Sequence, residues 1–301
     1  MVQRPVPVLI NRHGGAAKAD SQIASTVSAA FRAAGIDAKV EMIDGAKCAE
    51  RCKHFAKLGD GLIVVGGGDG TLSAAASELA DTATALGILP LGTLNHFARD
   101  LGIGVELDEA VKIIAAGKHR KVDIAEVNGR TFINNAAIGL YPLMVVDRES
   151  QQQRLGRSKK LALLVATLRT LLRFHHQRLT LTADGQKQQV ETPLLFVGNN
   201  DYRMDLAGAG ERERLSDGRL CVLVASRNTR RGFLAAGLRA LFNRARADDL
   251  VELKDVRHLK VASRRHSLHI AVDGEVAVMT PPLDCRIRPG ALIVLAPRGA
   301  T

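Results

Sequence analysis

In LIVVGGGDGTLSAAASELA, residues 62–80, four apolar and mostly β-branched residues run into three glycines, an aspartate, a glycine and a threonine, and an alanine-rich helical pattern follows. The apolar run predicts a strand. The glycines predict an abrupt strand-to-helix turn, with backbone angles that glycine adopts at little cost. A loop without β-carbons also admits a ligand to its peptide N–H groups. The helix expected from Leu72 onward aims its unpaired N–H groups and positive dipole end at that loop. Strand, loop and helix N-terminus together form a phosphate site. The plainer alternative is a tight turn with no ligand.

Two familiar glycine loops are excluded. There is no GxxxxGK[ST] pattern, so this is not the P-loop of ordinary ATPases. In the GxGxxG fingerprint Gly66 and Gly68 fit, but Thr71 stands at the third glycine, polar where helix packing wants a small residue. Asp69 is the unexpected residue. A carboxylate beside phosphates is repulsive unless it faces a metal or a hydroxyl. It therefore points to chemistry, holding Mg²⁺ or an acceptor hydroxyl, with a cap on the following helix as the alternative.

Outward from this stretch, residues 1–120 alternate strand and helix. Strands are expected at 6–11, 38–43, 62–65 and 85–91, and helices at 21–34, 46–57, 72–80, 95–101 and 108–116. This rhythm predicts a parallel sheet with helices on both faces. Ligands of open α/β sheets sit beyond the carboxyl ends of the strands. Three glycine loops fall at such ends: NRHGG (11–15), GGGDGT (66–71) and PLGT (90–93). From residue 121 the texture turns to β. KVDIAEVNGRTFINNAAIGL (121–140) reads as a hairpin with Asn128-Gly129 as a primed turn. Further strands are expected at 178–184, 190–198, 219–225, 259–263, 267–273 and 292–296, with helical insertions near 158–174 and 230–247. The reading is an α/β domain over 1–120 and a mostly β domain over 121–301, whose last residues are free to return to the first.

Composition narrows the partners. The chain has 301 residues, 46% of them hydrophobic, enough for a substantial core. No apolar run approaches the ~18 residues of a transmembrane helix, and MVQRPVPVLINRHGG has too short an apolar stretch for a signal peptide. Four scattered cysteines, Cys48, Cys52, Cys221 and Cys285, read as reduced thiols of a cytosolic protein. The net charge of +11 favours an anionic partner. Aromatic residues are 3% and tryptophan is absent, which argues against single-stranded nucleic acid. The segment from Ser150 to Ala183 holds no acidic residue but carries Arg154, Arg157, Lys159, Lys160, Arg169, Arg173 and Arg178. Leucines at helical spacing (Leu161, Leu164, Leu168, Leu171) give it an apolar stripe. The segment suits either an anionic bilayer or packing on the β domain.

GGGDGTL, LPLGTLNHFARDLGI (89–103), INNAAIGLYP (133–142), LSDGRL (215–220) and VDGEV (272–276) occur in the order seen in bacterial diacylglycerol kinase-like lipid kinases, and the chain resembles that family over nearly its whole length. The resemblance implies an α/β nucleotide domain and a β-sandwich domain with the active site in the cleft between. It implies transfer of the ATP γ-phosphate to a lipid hydroxyl, with ATP and Mg²⁺ as cofactors. By resemblance, ATP contacts come from Asn11, Arg12, His13, Gly14 and Gly15, from Gly67, Gly68, Asp69, Gly70, Thr71, Leu72 and Ser73, and from Thr93 and Asn95. The general base is expected in the late DGE motif, Glu275 or Asp273, with Asp69 as an aid. Without the resemblance, Asp273-Gly274 reads as a hairpin turn.

Three departures stand out. His96 replaces an acid in the NDFAR pattern, NRHGG replaces NPxxG, and ERERLSDG (211–218) replaces an acid-rich stretch that holds a structural metal. Asp217, Arg219 and Leu220 are the remaining metal candidates, with Arg212 or a neighbour in place of the other acid. Expected partners are a lipid substrate and an anionic membrane surface, met peripherally at the inner face, with a homodimer left open and no nucleic acid. The alternatives are an NAD kinase-like enzyme with a soluble acceptor and an inactive nucleotide-binding regulator at the membrane.

Overall fold

A computed structural model describes residues 4–15, 20–140, 176–202, 212, 214–225 and 250–297. The two helical insertions expected near 158–174 and 230–247, and all of the cationic segment before residue 176, lie outside the described residues. The chain divides into two compact units. One comprises Met1–Ile124, Arg214–Gly218 and Arg288–Thr301; the other comprises Ala125–Glu213 and Arg219–Ile287.

The first unit is built on parallel strands β1 (Val6–Asn11), β2 (Ala38–Ile43), β3 (Leu62–Gly67) and β4 (Ala85–Pro90), in the order β2-β1-β3-β4. The last part of β16 (Leu283–Leu295) joins beside β4. β3 and β4 are buried almost throughout, as expected of parallel strands covered on both faces. The helices supply that cover. α1 (Ile23–Ala33) buries Ile23, Val27 and Phe31, and α2 (Cys48–Lys57) buries Cys48 and Cys52, each set on one helical face. α3 (Asp69–Leu79), α4 (His96–Asp100) and α5 (Leu107–Ala115) complete the unit. α3 begins at Asp69, three residues earlier than expected, so the helix starts inside the glycine loop.

The second unit holds two antiparallel layers. One follows the order β12-β11-β10-β7-β14-β15, made of β12 (Leu250–Val256), β11 (Leu220–Ala225), β10 (Leu194–Asn199), β7 (Asn135–Gly139), β14 (Leu268–Val272) and β15 (Glu275–Met279). The other pairs the start of β16 with β13 (His258–Ser263), then β8 (Gln177–Ala183) and β9 (Gln186–Thr192). Alternate residues such as Leu179 and Leu181, Val222 and Val224, and Leu259 and Val261 form one buried core. The expected hairpin is present: β5 (His119–Val127) turns into β6 (Arg130–Phe132) through Asn128 and Gly129, both at positive φ.

The expected single strand at 190–198 is two strands. Pro193 has no N–H to give to a ladder, and there the chain leaves β9 and enters β10 in the other layer. Two edge strands, β12 and β15, have no counterpart in the sequence reading. Both are largely exposed and so lack a full apolar alternation.

Candidate active site

β1 ends at Asn11, which organises the first glycine loop. Its carbonyl accepts the N–H of Gly14 (2.9 Å), its Oδ1 accepts the N–H of His13 (3.1 Å), and its Nδ2 donates to Thr71 Oγ1 (2.9 Å). Arg12 and His13 are exposed and both reach Asp44 Oδ1, at 3.4 and 3.1 Å. NRHGG is thereby tied to the start of α3.

The glycines of residues 66–68 do not sit at positive φ. They are required by space rather than by backbone angle, which corrects the sequence expectation. A β-carbon on Gly67 would lie 2.7 Å from the Thr71 side chain. A β-carbon on Gly92 would lie 2.3 Å from the Gly68 Cα, so the second and third loops touch backbone to backbone. A β-carbon on Gly15 would lie 3.2 Å from Thr93 Oγ1. The three glycine loops thus come together at the carboxyl ends of β1, β3 and β4. No side chain caps α3 at Gly68, so its first turn faces these loops without a capping oxygen. That construction suits the phosphates of a nucleotide.

Asp69 has a structural task that the sequence did not reveal. Its carboxylate does not cap its own helix. It accepts the N–H groups of His96 (3.2 Å) and Phe97 (2.9 Å), so it caps α4 and staples the PLGTLN loop to the glycine loop. Asn95 works from the other side. It adopts the left-handed conformation and is buried, its Oδ1 accepts Gly92 N–H (2.9 Å), and its Nδ2 donates to the carbonyls of Pro90 (3.0 Å) and Gly92 (3.1 Å). Leu72 is fully buried, which leaves only its backbone for a ligand, whereas Thr93 is exposed. Behind the loop the Cys48 thiol donates to the Thr71 carbonyl at 3.6 Å. The Cys52 thiol is pushed up, first by its hydrogen bond with Cys48 and then by burial.

The late DGE motif lies in the second unit as a two-residue turn joining β14 to β15, with Asp273 and Gly274 both at positive φ. The Asp273 carboxylate is held by three backbone donors: Oδ2 accepts Ile133 N–H (2.9 Å), and Oδ1 accepts Asn134 N–H (2.9 Å) and Asn135 N–H (3.1 Å). Glu275 is two-thirds exposed and pairs with Arg130 at 2.7 Å.

Two of the expected metal candidates have other structural partners. The Arg219 side chain pairs with Asp201 and Asp255, its carbonyl accepts Asn200 N–H (3.0 Å), and Leu220 opens β11. Among the described residues no group of three His, Cys, Asp or Glu side chains could hold a metal. Sequence reasoning also missed Asp123, a buried carboxylate that accepts Gly218 N–H and Gly290 N–H, each at 2.7 Å. The signal was present: an acid inside the apolar run VDIA of a strand.

The first unit is thus an α/β fold with converging glycine loops, and the second is a β-sandwich that displays an anchored acidic turn. The diacylglycerol kinase catalytic domain matches residues 5–127, and the YegS C-terminal NAD kinase beta sandwich-like domain matches residues 144–296. The chain belongs to the diacylglycerol kinase-like family of lipid kinases. It is 46% identical over 87 residues to "Probable lipid kinase YegS" of Escherichia fergusonii, which covers 28% of this chain and 29% of that protein. It is 42% identical over 100 residues to the protein of the same name from Escherichia coli O1:K1 / APEC, covering 32% of each. The chain thus spans about a third of the length of these relatives. Two solved structures from Bacillus anthracis str. Sterne share the fold. One superposes with a TM-score of 0.78 at 24% identity, and the other, a diacylglycerol kinase, with 0.72 at 21%; each covers 99% of this chain and 98% of that chain.

Proposed function

We propose that this protein is an ATP-dependent lipid kinase that transfers the γ-phosphate to a hydroxyl of a lipid such as diacylglycerol. The observation that carries the reading is the backbone-to-backbone convergence of the three glycine loops on the uncapped start of α3. Phosphoryl transfer asks the protein mainly for positioning and charge stabilisation. The N–H groups of residues 67–70 and the dipole of α3 hold the phosphate anions, and Arg12 places a guanidinium beside the first loop. ATP would supply the transferable phosphoryl group, and Mg²⁺ bound with it would offset the charge of its phosphates. Asp69 keeps the second and third loops in register. On the acceptor side, the exposed Glu275 carboxylate takes the hydroxyl proton and Asp273 fixes the turn that presents it. A lipid acceptor puts the reaction at a membrane surface, and the net charge of +11 suits an anionic one. Among the described residues no helix is long and apolar enough to cross a membrane.

The test is label transfer from ATP with Mg²⁺ to mixed micelles of diacylglycerol, monoacylglycerol, sphingosine, ceramide or phosphatidylglycerol, with NAD as a soluble control. A labelled lipid that disappears with Asp69→Ala establishes the activity and names the acceptor. Label on NAD alone overturns it.

A further inference from the structure

Arg212 is the most deeply buried cation among the described residues, 4% exposed. Its Nη1 donates to the carbonyls of Ile133 (2.6 Å) and Asn199 (3.1 Å), its Nη2 donates to Asn134 Oδ1 (2.8 Å), and its guanidinium lies 5.2 Å from the centre of the Tyr202 ring. A guanidinium taken out of water is tolerated when acceptors surround it in this way.

The position of those acceptors matters more than their number. The Ile133 carbonyl belongs to the same peptide as the Asn134 N–H, and that N–H donates to Asp273 Oδ1. One peptide group therefore has a cation at its oxygen and a carboxylate at its hydrogen. Its dipole points from one charge to the other, and each charge strengthens the bond made by the other. The neighbouring peptide repeats the arrangement in weaker form: the Asn134 carbonyl accepts Asn199 N–H (2.9 Å), while the Asn135 N–H donates to Asp273. Asn199 Nδ2 also donates to the Ile133 carbonyl (2.9 Å).

We propose that Arg212 is a positioning residue for the acidic turn of residues 273–275, acting on Asp273 through the single peptide between Ile133 and Asn134. The proposal rests on the kinase reading for its catalytic consequence but not for its geometry. Arg212 does not touch substrate. It holds the 133–135 backbone so that its N–H groups converge on Asp273, and the turn then presents Glu275 in one place.

The experiment uses the full chain with Arg212→Met, Arg212→Lys, Arg212→Ala and Asp273→Asn. Amide hydrogen exchange is read by mass spectrometry over 130–136 and 270–276, alongside steady-state turnover of the lipid that the wild type phosphorylates. Arg212→Met is expected to raise exchange in those two segments, with exchange over 62–72 unchanged. It is expected to lower kcat about 10- to 100-fold, as a small misplacement of a catalytic group does, with KM for ATP within twofold. Arg212→Lys should recover part of the loss, and millimolar guanidinium should restore turnover to Arg212→Ala. Wild-type exchange at 133–135 and wild-type kcat in Arg212→Met would overturn the proposal. So would faster exchange throughout the second unit without rescue by Lys or guanidinium, which marks a merely structural arginine. If the exchange pattern appears but the wild type phosphorylates no lipid, the clamp stands and the kinase reading falls. If Asp273→Asn retains full turnover, the turn's assigned role fails independently of Arg212.

Discussion

The two acidic loops of this protein are anchored by the same bond and built from different distances. Asp69 takes two backbone N–H groups, from residues 27 and 28 positions away. Asp273 takes three, from residues 138 to 140 positions away. The first carboxylate joins loops of one local βα framework, where glycine spacing makes the close approach possible. The second joins a hairpin turn to a segment from early in the β unit, and its donors are backed by a buried arginine. The Asp69 carboxylate is thus met by the amides that start α4, whereas the Asp273 carboxylate is held by peptides that are themselves polarised.

The largest expected effect breaks the first arrangement. Asp69→Ala should abolish turnover and remove the two acceptors that hold α4, lowering unfolding free energy by about 2 kcal/mol. Wild-type activity in this variant, measured by labelled phosphate transfer, would remove Asp69 from the site. Asp273→Asn keeps the shape but turns part of the acceptor into a donor facing three N–H groups. A loss of about 2–3 kcal/mol in denaturant unfolding is expected, and an equal or smaller loss than at Asp69 would erase the contrast between the two anchors. Glu275→Gln should lower turnover at least tenfold while stability changes by less than about 1 kcal/mol, because its ion pair with Arg130 is exposed. A parallel fall in stability would show that Glu275 is structural.

The smallest effect lies away from both loops. Arg286, and then His258, hold the Asp284 carboxyl below its usual range, against the opposing effect of partial burial. A depressed carboxylate stabilises the fold above the unfolded carboxylate value of about 4 and loses that contribution as pH falls through the lowered folded value. Asp284→Asn should therefore cost about 0.5 kcal/mol at pH 7 and nothing at the acid end. A constant difference across pH would reject the electrostatic cause. Burial also pushes the Cys285 thiol up to about 12, and all four cysteines are free and buried. A thiol reagent should find little to react with until the protein unfolds.

Much of the first unit was legible because its information is local. The strand and helix periods, the glycine loops at strand ends and the Asn128-Gly129 turn all lie within short windows, and their positions in the structure follow. The reason for the glycines was not legible. Gly68 and Gly92 are small because two backbones touch, and that contact exists only when β3 and β4 pair in register. Asn95 read as a ligand contact but is spent on its own loop.

By itself the sequence determined the alternation of strands and helices, the glycine loops at strand ends and the motifs of the family, because each is written in short windows of the chain. Only the tertiary structure decided what the charged residues do. Asp69, Asp273 and Arg212 are of types that usually face water, so nothing in their neighbours predicted that one would staple two loops and the others would face each other across a peptide. Pro193 sending the chain from one layer to the other, and the edge strands β12 and β15, were decided in the same way. Their partners come from distant parts of the chain, and hydrogen bonding to those partners, rather than local preference, places them.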